Sequence, residues 1–388
     1  MKRPRPIVIV LAAVLVLAAA VTALAASDRG SLPGHTETGA LAPIVSPPPS
    51  SKLPSDFFGI VTEDVLARPG SYRNRTLNRQ AGIGIGLVRQ TFDWASIERK
   101  RNVYDLTAYD GFIAALAAHH MEVLPVLLDP PKFRSSAPKK GAKAGTYPPK
   151  DNVAFAKFAK VLVRRYGPDG NFWKQRPGLP KVPIESWQIW NEPSLPAYWP
   201  TGPNPAAYTQ MLRTVGAAIK GLDPSAEVVT AGIPQSRLGM PFGKFLNGMY
   251  AAGAQDAFDT LAIHPYAQSD AGVSAAVRSA RKIMDSHGDT SAPIWVTEVG
   301  WASAGPASQF TVGARRQAQL IKSTFTTLVN IRDQEHLRGV VYFGWRDGAP
   351  YAPLFKDFWG LHTGLLTVHN TAKPALKAFS DTLAQLRG

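Results

Sequence analysis

The chain has 388 residues, 45% hydrophobic and 18% charged, with a formal net charge of +15 and no cysteine. That is apolar material enough for a large core in one domain or more, while the missing cysteines exclude disulfides and a lipid-anchored N-terminal cysteine. The basic balance suits plain solubility or contact with anionic envelope polymers and acidic glycans; without a helix-turn-helix, zinc-finger or RNA-recognition signature it does not point to nucleic acid.

Lys2, Arg3 and Arg5 precede an unbroken apolar run from Ile7 to Val21, and Ala23-Leu24-Ala25 follows as a cleavage site. Residues 1–26 therefore read as a secretory signal peptide, or as an anchor if left uncleaved. Residues 27–54, ending in Pro47-Pro48-Pro49-Ser50-Ser51, have a linker composition too poor in large apolar residues to pack. The expectation is a secreted or surface-tethered protein whose catalytic domain spans residues 55–388, with a monomer as its expected state.

From Ser55 the chain alternates short β-rich runs with amphipathic stretches. Strands are predicted near Phe57–Ile60, Ile85–Thr91, Glu122–Leu128, Ser186–Trp190, Glu227–Ala231, Thr260–His264, Ile294–Thr297 and Val340–Gly344. Helices are predicted over Tyr109–His120, Val153–Tyr166, Ala206–Gly221, Gly272–His287, Ser308–Arg332 and Pro374–Arg387. Repeated βα units of this kind make an α/β fold, a (β/α)₈ TIM barrel first and a doubly wound sheet second. Gly82-Ile83-Gly84-Ile85-Gly86 lacks the third glycine of a nucleotide loop and runs into a strand, so these read as turn glycines.

In a parallel barrel the active site forms where strands end. Here those ends read Arg89, Asp129, Asn191-Glu192, His264 with Tyr266, Glu298 and Trp345. Packing alone would favour aliphatic residues there. Glu192 and Glu298 follow the fourth and seventh predicted strands and face each other across the mouth. Opposed carboxylates suit glycoside hydrolysis, in which one protonates the departing oxygen and the other attacks or activates water. The eight histidines are scattered and no H-E-x-x-H occurs, so neither a metal nor a cofactor is expected.

The ordered set Val88-Arg89 with Trp94, Trp190-Asn191-Glu192-Pro193 with Tyr198-Trp199, Ala262-Ile263-His264-Pro265-Tyr266, Val296-Thr297-Glu298-Val299-Gly300-Trp301, Trp359-Gly360-Leu361 and Lys373-Pro374-Ala375 resembles the clan A retaining glycoside hydrolases. Families 39 and 5 are the nearest in flavour. The resemblance covers residues from about Ser55 onward. It implies Glu192 as acid/base and Glu298 as nucleophile, with a β-linked glycan as substrate. It further implies Arg89 and Tyr266 on Glu298, Asn191 on the sugar 2-hydroxyl and His264 in the same subsite. Arg89 also reads as a structural ion-pair partner, and His264 and Tyr266 as core residues.

Trp345 is a candidate sugar-stacking floor, and Trp199 and Trp301 are candidate platforms or packing residues. The chain departs from the family 5 pattern after strand three, where Leu127-Leu128-Asp129 replaces a usual histidine. The loop that follows, Pro130–Asp151, carries Lys139, Lys140 and Lys143 and would overhang the site, either to recognise an anionic glycan or as a solvated loop. Two other functions fit the same residues: a non-catalytic carbohydrate-binding protein, and a transglycosylase with a sugar acceptor.

Overall fold

The computed structural model describes residues 52–349 and 356–388. The expected signal peptide and all but the last three residues of the expected linker lie outside the described residues. Nine strands form one sheet: β1 (Phe58–Val61), β2 (Leu87–Asp93), β3 (Glu122–Leu128), β4 (Ser186–Ile189), β5 (Glu227–Val229), β6 (Ile233–Pro234), β7 (Leu261–His264), β8 (Ile294–Val299) and β9 (Leu337–Tyr342). Their order is β5-β4-β3-β2-β1-β9-β8-β7-β6, with every pair parallel. Val229 also bridges Thr260 in parallel, so the β5 edge returns to the β7 edge and the sheet closes. β5 and β6 are two pieces of one interrupted barrel strand. The fold is a (β/α)₈ barrel rather than a doubly wound sheet.

Parallel strands covered by helices are buried on both faces and read as continuous apolar runs. β3, Glu-Val-Leu-Pro-Val-Leu-Leu, is buried from its second residue onward. Inside the barrel, Val61, Leu87, Leu124, Val229, Ala262, Trp295 and Val341 form a core drawn from seven strands, separate from the larger core between sheet and helices. This inner plug floors the mouth.

Helices cross between strands, and some start at side-chain caps. Asp151 accepts from Val153 N–H ahead of Asn152–Tyr166, Asn204 from Ala207 N–H ahead of Pro205–Lys220, and Ser269 from Gly272 N–H ahead of Asp270–Ser286. Several elements differ from the sequence reading. β9 lies at Leu337–Tyr342 rather than Val340–Gly344, the helix expected from Ser308 begins at Ala314, and helices Gly70–Gly82 and Phe242–Ala251 were not anticipated. Gly84 turns the chain with φ +88°, and a Cβ on Gly86 would sit 1.9 Å from the Ser55 carbonyl oxygen. That close approach fits a turn before β2, not a phosphate loop.

Candidate active site

Two local irregularities bring the polar residues into the mouth. Along β4, Gln188 points inward while Trp187 and Ile189 pack outward against the helices. Trp190 then takes φ +77° and Glu192 φ +40°, a left-handed backbone that side chains rarely adopt. The kink lets both Asn191 and Glu192 face the barrel axis. On β8 a strict period of two would send neighbours Thr297 and Glu298 to opposite faces. The register shifts between Val296 and Val299, and both face inward.

Arg89 organises the centre. It lies within β2 rather than at the strand end expected for it, two residues past the inward-facing Leu87. Its Nη1 donates to Glu298 Oε1 at 2.5 Å, its Nη2 to Asn191 Oδ1 at 2.8 Å and its Nε to Gln188 Oε1 at 2.7 Å. Tyr266 donates its hydroxyl to Glu298 Oε2 at 2.8 Å. His264 places Nδ1 at 2.8 Å from Glu192 Oε1 and Nε2 at 3.1 Å from Thr297 Oγ1. It is therefore a site residue as well as a fully buried one.

The two glutamates are shifted in opposite directions. Burial pushes the Glu192 carboxyl up, and the negative Glu298 adds to this while His264 and Arg89 oppose it; the net direction is up. Burial would raise Glu298 too, but the charges of His264 and Arg89 and the hydrogen bonds from Tyr266 and Arg89 outweigh it, so Glu298 lies below the ordinary glutamate value. Burial, followed by the adjacent carboxylates, holds the Tyr266 phenol far above its ordinary value, which keeps it a donor. The two proton affinities are pushed apart, Glu192 toward holding a proton and Glu298 toward the ionised form.

Glu192, His264 and Glu298 offer ligand atoms that all lie within 4.8 Å of one another. A cation there would have to displace the Glu192–His264 contact and sit against the Arg89 guanidinium, which already neutralises Glu298. The donor set suits proton transfer better than metal binding.

A cavity of about 300 Å³ opens beside Glu298, lined by Arg89, Asn191 and Glu298 and by loops after β1 and β9; Glu192 does not line it. Trp345 lines it, although only 2% of its surface is exposed. Trp199 and Trp301 do not. Trp199 packs edge-on against Trp190 and Tyr208, and Trp301, fully buried, donates Nε1–H to the Ala267 carbonyl and ties two loops together. Both pack within the protein.

The basic loop is fastened at its ends. Arg134 pairs with buried Glu98 at 2.7 Å, and Thr146 donates its hydroxyl to Asp129 and its N–H to the Ala197 carbonyl, each at 2.7 Å. Lys139, Lys140 and Lys143 are exposed, and no residue of the loop lines the cavity. Sequence reasoning missed Gln188 and Thr297, which brace Arg89 and His264. The available signal was a polar residue at an inward position of an apolar strand.

Residues 188–357 match the family model described as glycosyl hydrolase catalytic core. The match spans both glutamates. By fold, the chain is similar to a family 39 glycoside hydrolase from the gut symbiont Bacteroides cellulosilyticus (TM-score 0.61, 18% identity, covering 86% of this chain and 64% of that one). It is also similar to a family 39 β-xylosidase from Caulobacter crescentus (0.61, 19%, covering 86% and 72%). A GH5_18 protein from Bifidobacterium longum subsp. longum, solved with Manβ1-4GlcNAc, gives 0.61 and 14%, covering 85% and 78%. The fold is the one these clan A-like glycoside hydrolase barrels share. The barrel spans just under two thirds of the length of the Bacteroides protein. No curated protein matches the chain by sequence.

Proposed function

We propose that this protein is a retaining glycoside hydrolase acting on β-linked glycans, with Glu298 as nucleophile and Glu192 as acid/base. The carrying observation is the unequal environment of two close carboxyls: Glu298 beside Arg89 and Tyr266, Glu192 beside His264. Their oxygens approach within 4.8 Å. That is near the ~5–5.5 Å of retaining enzymes and short of the ~6.5–9.5 Å that inverting enzymes need for a water. The β-xylosidase named for a similar fold supports the linkage. The leader-like N-terminus supports action outside the cytoplasm.

In the first step a Glu298 oxygen bonds the anomeric carbon while the bond to the leaving oxygen breaks, and Glu192 gives that oxygen its proton. Glu298 becomes a neutral ester. With that charge gone, the repulsion raising Glu192 falls, and its carboxylate can accept a proton from water. The water oxygen then bonds the anomeric carbon, and the Glu298 carboxylate leaves. Asn191, held by Arg89, is placed to bond the sugar 2-hydroxyl, and Trp345 walls the same cavity.

The test is a panel of chromogenic β-xylosides, β-glucosides and arabinosides beside intact polysaccharides, with the first-formed anomer followed by NMR. Retention is expected. Glu298→Ala is expected to lose on the order of 10⁴-fold in kcat or more, and azide to restore part of it as a glycosyl azide of inverted configuration. An inverted first product from the parent enzyme, or full turnover by Glu298→Ala, overturns the proposal.

A further inference from the structure

The cavity has a second polar wall that the reaction does not use. Besides Glu298 and Asn191 it is lined by Asp64, from the segment after β1, and by Arg346 and Asp347, from the segment after β9. Asp347 Oδ1 accepts from Lys373 Nζ at 2.6 Å and from Gly364 N–H at 2.9 Å. Lys373 is buried and donates also to Ser303 Oγ and the His362 carbonyl, so the carboxylate it holds has one orientation. Asp64 Oδ2 accepts from Arg346 Nε at 3.0 Å and Nη2 at 2.7 Å and from the Tyr72 hydroxyl at 2.8 Å. Arg346 is fixed in turn by the Val368 carbonyl at 2.8 Å.

Each aspartate thus spends one oxygen on protein donors. Among the described residues, Asp347 Oδ2 and Asp64 Oδ1 have no hydrogen-bond partner, and both residues line the cavity. A pair built only for stability would not need to leave an acceptor of each member on a cavity wall. We infer that Asp64 and Asp347 form a hydroxyl-recognition wall, and that the sugar held between them and Glu298 is a single neutral unit with free hydroxyls. The inference rests on the carbohydrate reading of the site. Rigid anionic acceptors attract O–H donors and repel a sugar carboxylate. A volume of about 300 Å³ is at the small end of ligand sites. A uronate would have to use Arg68, an exposed residue at the same cavity whose guanidinium lies 5.4 Å from the Tyr72 ring, or compete for Arg89 and Arg346, which already pair with Glu298 and Asp64.

The substitutions Asp64→Asn and Asp347→Asn are isosteric and directional. Protein donors on Oδ2 of Asp64 and Oδ1 of Asp347 would hold the amide oxygen there and turn the NH₂ toward the cavity, replacing an acceptor with a donor. Binding of D-glucose, D-mannose, D-galactose, D-xylose and D-glucuronate is measured by saturation-transfer NMR and calorimetry in the full chain carrying Glu298→Gln, so that hydrolysis plays no part. At least one neutral sugar is expected to bind, and each folded asparagine variant to weaken it by about tenfold or more. Arg68→Ala is expected to leave it unaltered. If Asp347→Asn unfolds because Lys373 is stranded, Asp64→Asn decides alone. Parent affinity in a folded asparagine variant, binding of glucuronate that Arg68→Ala abolishes, or no sugar bound at all overturns the inference. Failure of the catalytic proposal is read separately, from the anomer and the Glu298→Ala experiment.

Discussion

Arg89 does three things with one planar group: it neutralises Glu298, orients Asn191 and is itself held by Gln188. A lysine offers a point charge without the fork and cannot serve all three partners. Removing the cation, as in Arg89→Met, takes away one of the effects that hold Glu298 below its ordinary value. The Glu298 pKa then rises, so the acid limb of kcat/KM, which requires the ionised nucleophile, moves to higher pH. Activity at the optimum falls by about 10²–10³-fold, as for other lost electrostatic stabilisers. A pH–rate profile with an unmoved acid limb would show that Arg89 acts only on binding. The two glutamates proposed to touch the reacting atoms were legible because glutamate at a strand end has no packing role. Gln188 and Thr297 were not, because a buried polar residue reveals its partners only when strands 99 and 33 residues away in sequence meet it, as Arg89 and His264 do.

Between β5 and β6 the barrel wall opens at Thr230-Ala231-Gly232, and this break makes room for His264. A Cβ on Gly232 would lie 1.9 Å from His264 Nε2, while the Gly232 carbonyl accepts the Glu192 N–H at 3.2 Å. Gly232→Ala must therefore push the imidazole away from Glu192 or strain the β4 loop, and overpacking of this kind costs about 1–3 kcal/mol. Because His264 opposes the upward shift of Glu192, its displacement raises the acid/base pKa further. The basic limb of kcat/KM should move to higher pH, with kcat reduced and the acid limb in place; a lower melting temperature with an unchanged profile would mark Gly232 as purely structural. Element by element, the strands were readable because buried parallel strands are continuous apolar runs. Helix Gly70–Gly82 was not, since Gly-Ser-Tyr-Arg-Asn-Arg-Thr-Leu-Asn-Arg-Gln-Ala-Gly buries only Thr76, Leu77 and Gln80. The segment before Ala314 carries no apolar break from the helix after it; its bridge between Ala302 and Thr311 and the φ of +81° at Gly313 set it apart.

Across the whole molecule, the two ends of one barrel treat carboxylates differently. At the mouth each acidic group has its own cation or donor. At the opposite end, where strands begin, Asp56, Glu122, Glu185 and Glu227 gather around Arg338, which reaches Asp56 at 2.5 Å and Glu227 at 3.6 Å. Glu122 is left over. Burial, then the charge of Asp56, pushes it up from an ordinary 4.5 to about 7, with Glu185 and Glu227 adding to the rise and Arg338 opposing it. A carboxyl whose folded pKa exceeds its unfolded one contributes stability below the unfolded pKa, and that contribution is lost as pH rises through the folded value. The window here is about pH 4.5 to 7. Glu122→Gln keeps the shape of the protonated acid without its titration. Its melting temperature should match the parent near pH 4.5 and exceed it at pH 8, while kcat/KM is unaltered because the change lies at the barrel end away from the mouth. Equal melting temperatures at both pH values would mean that Glu122 ionises in the folded protein as easily as in the unfolded chain.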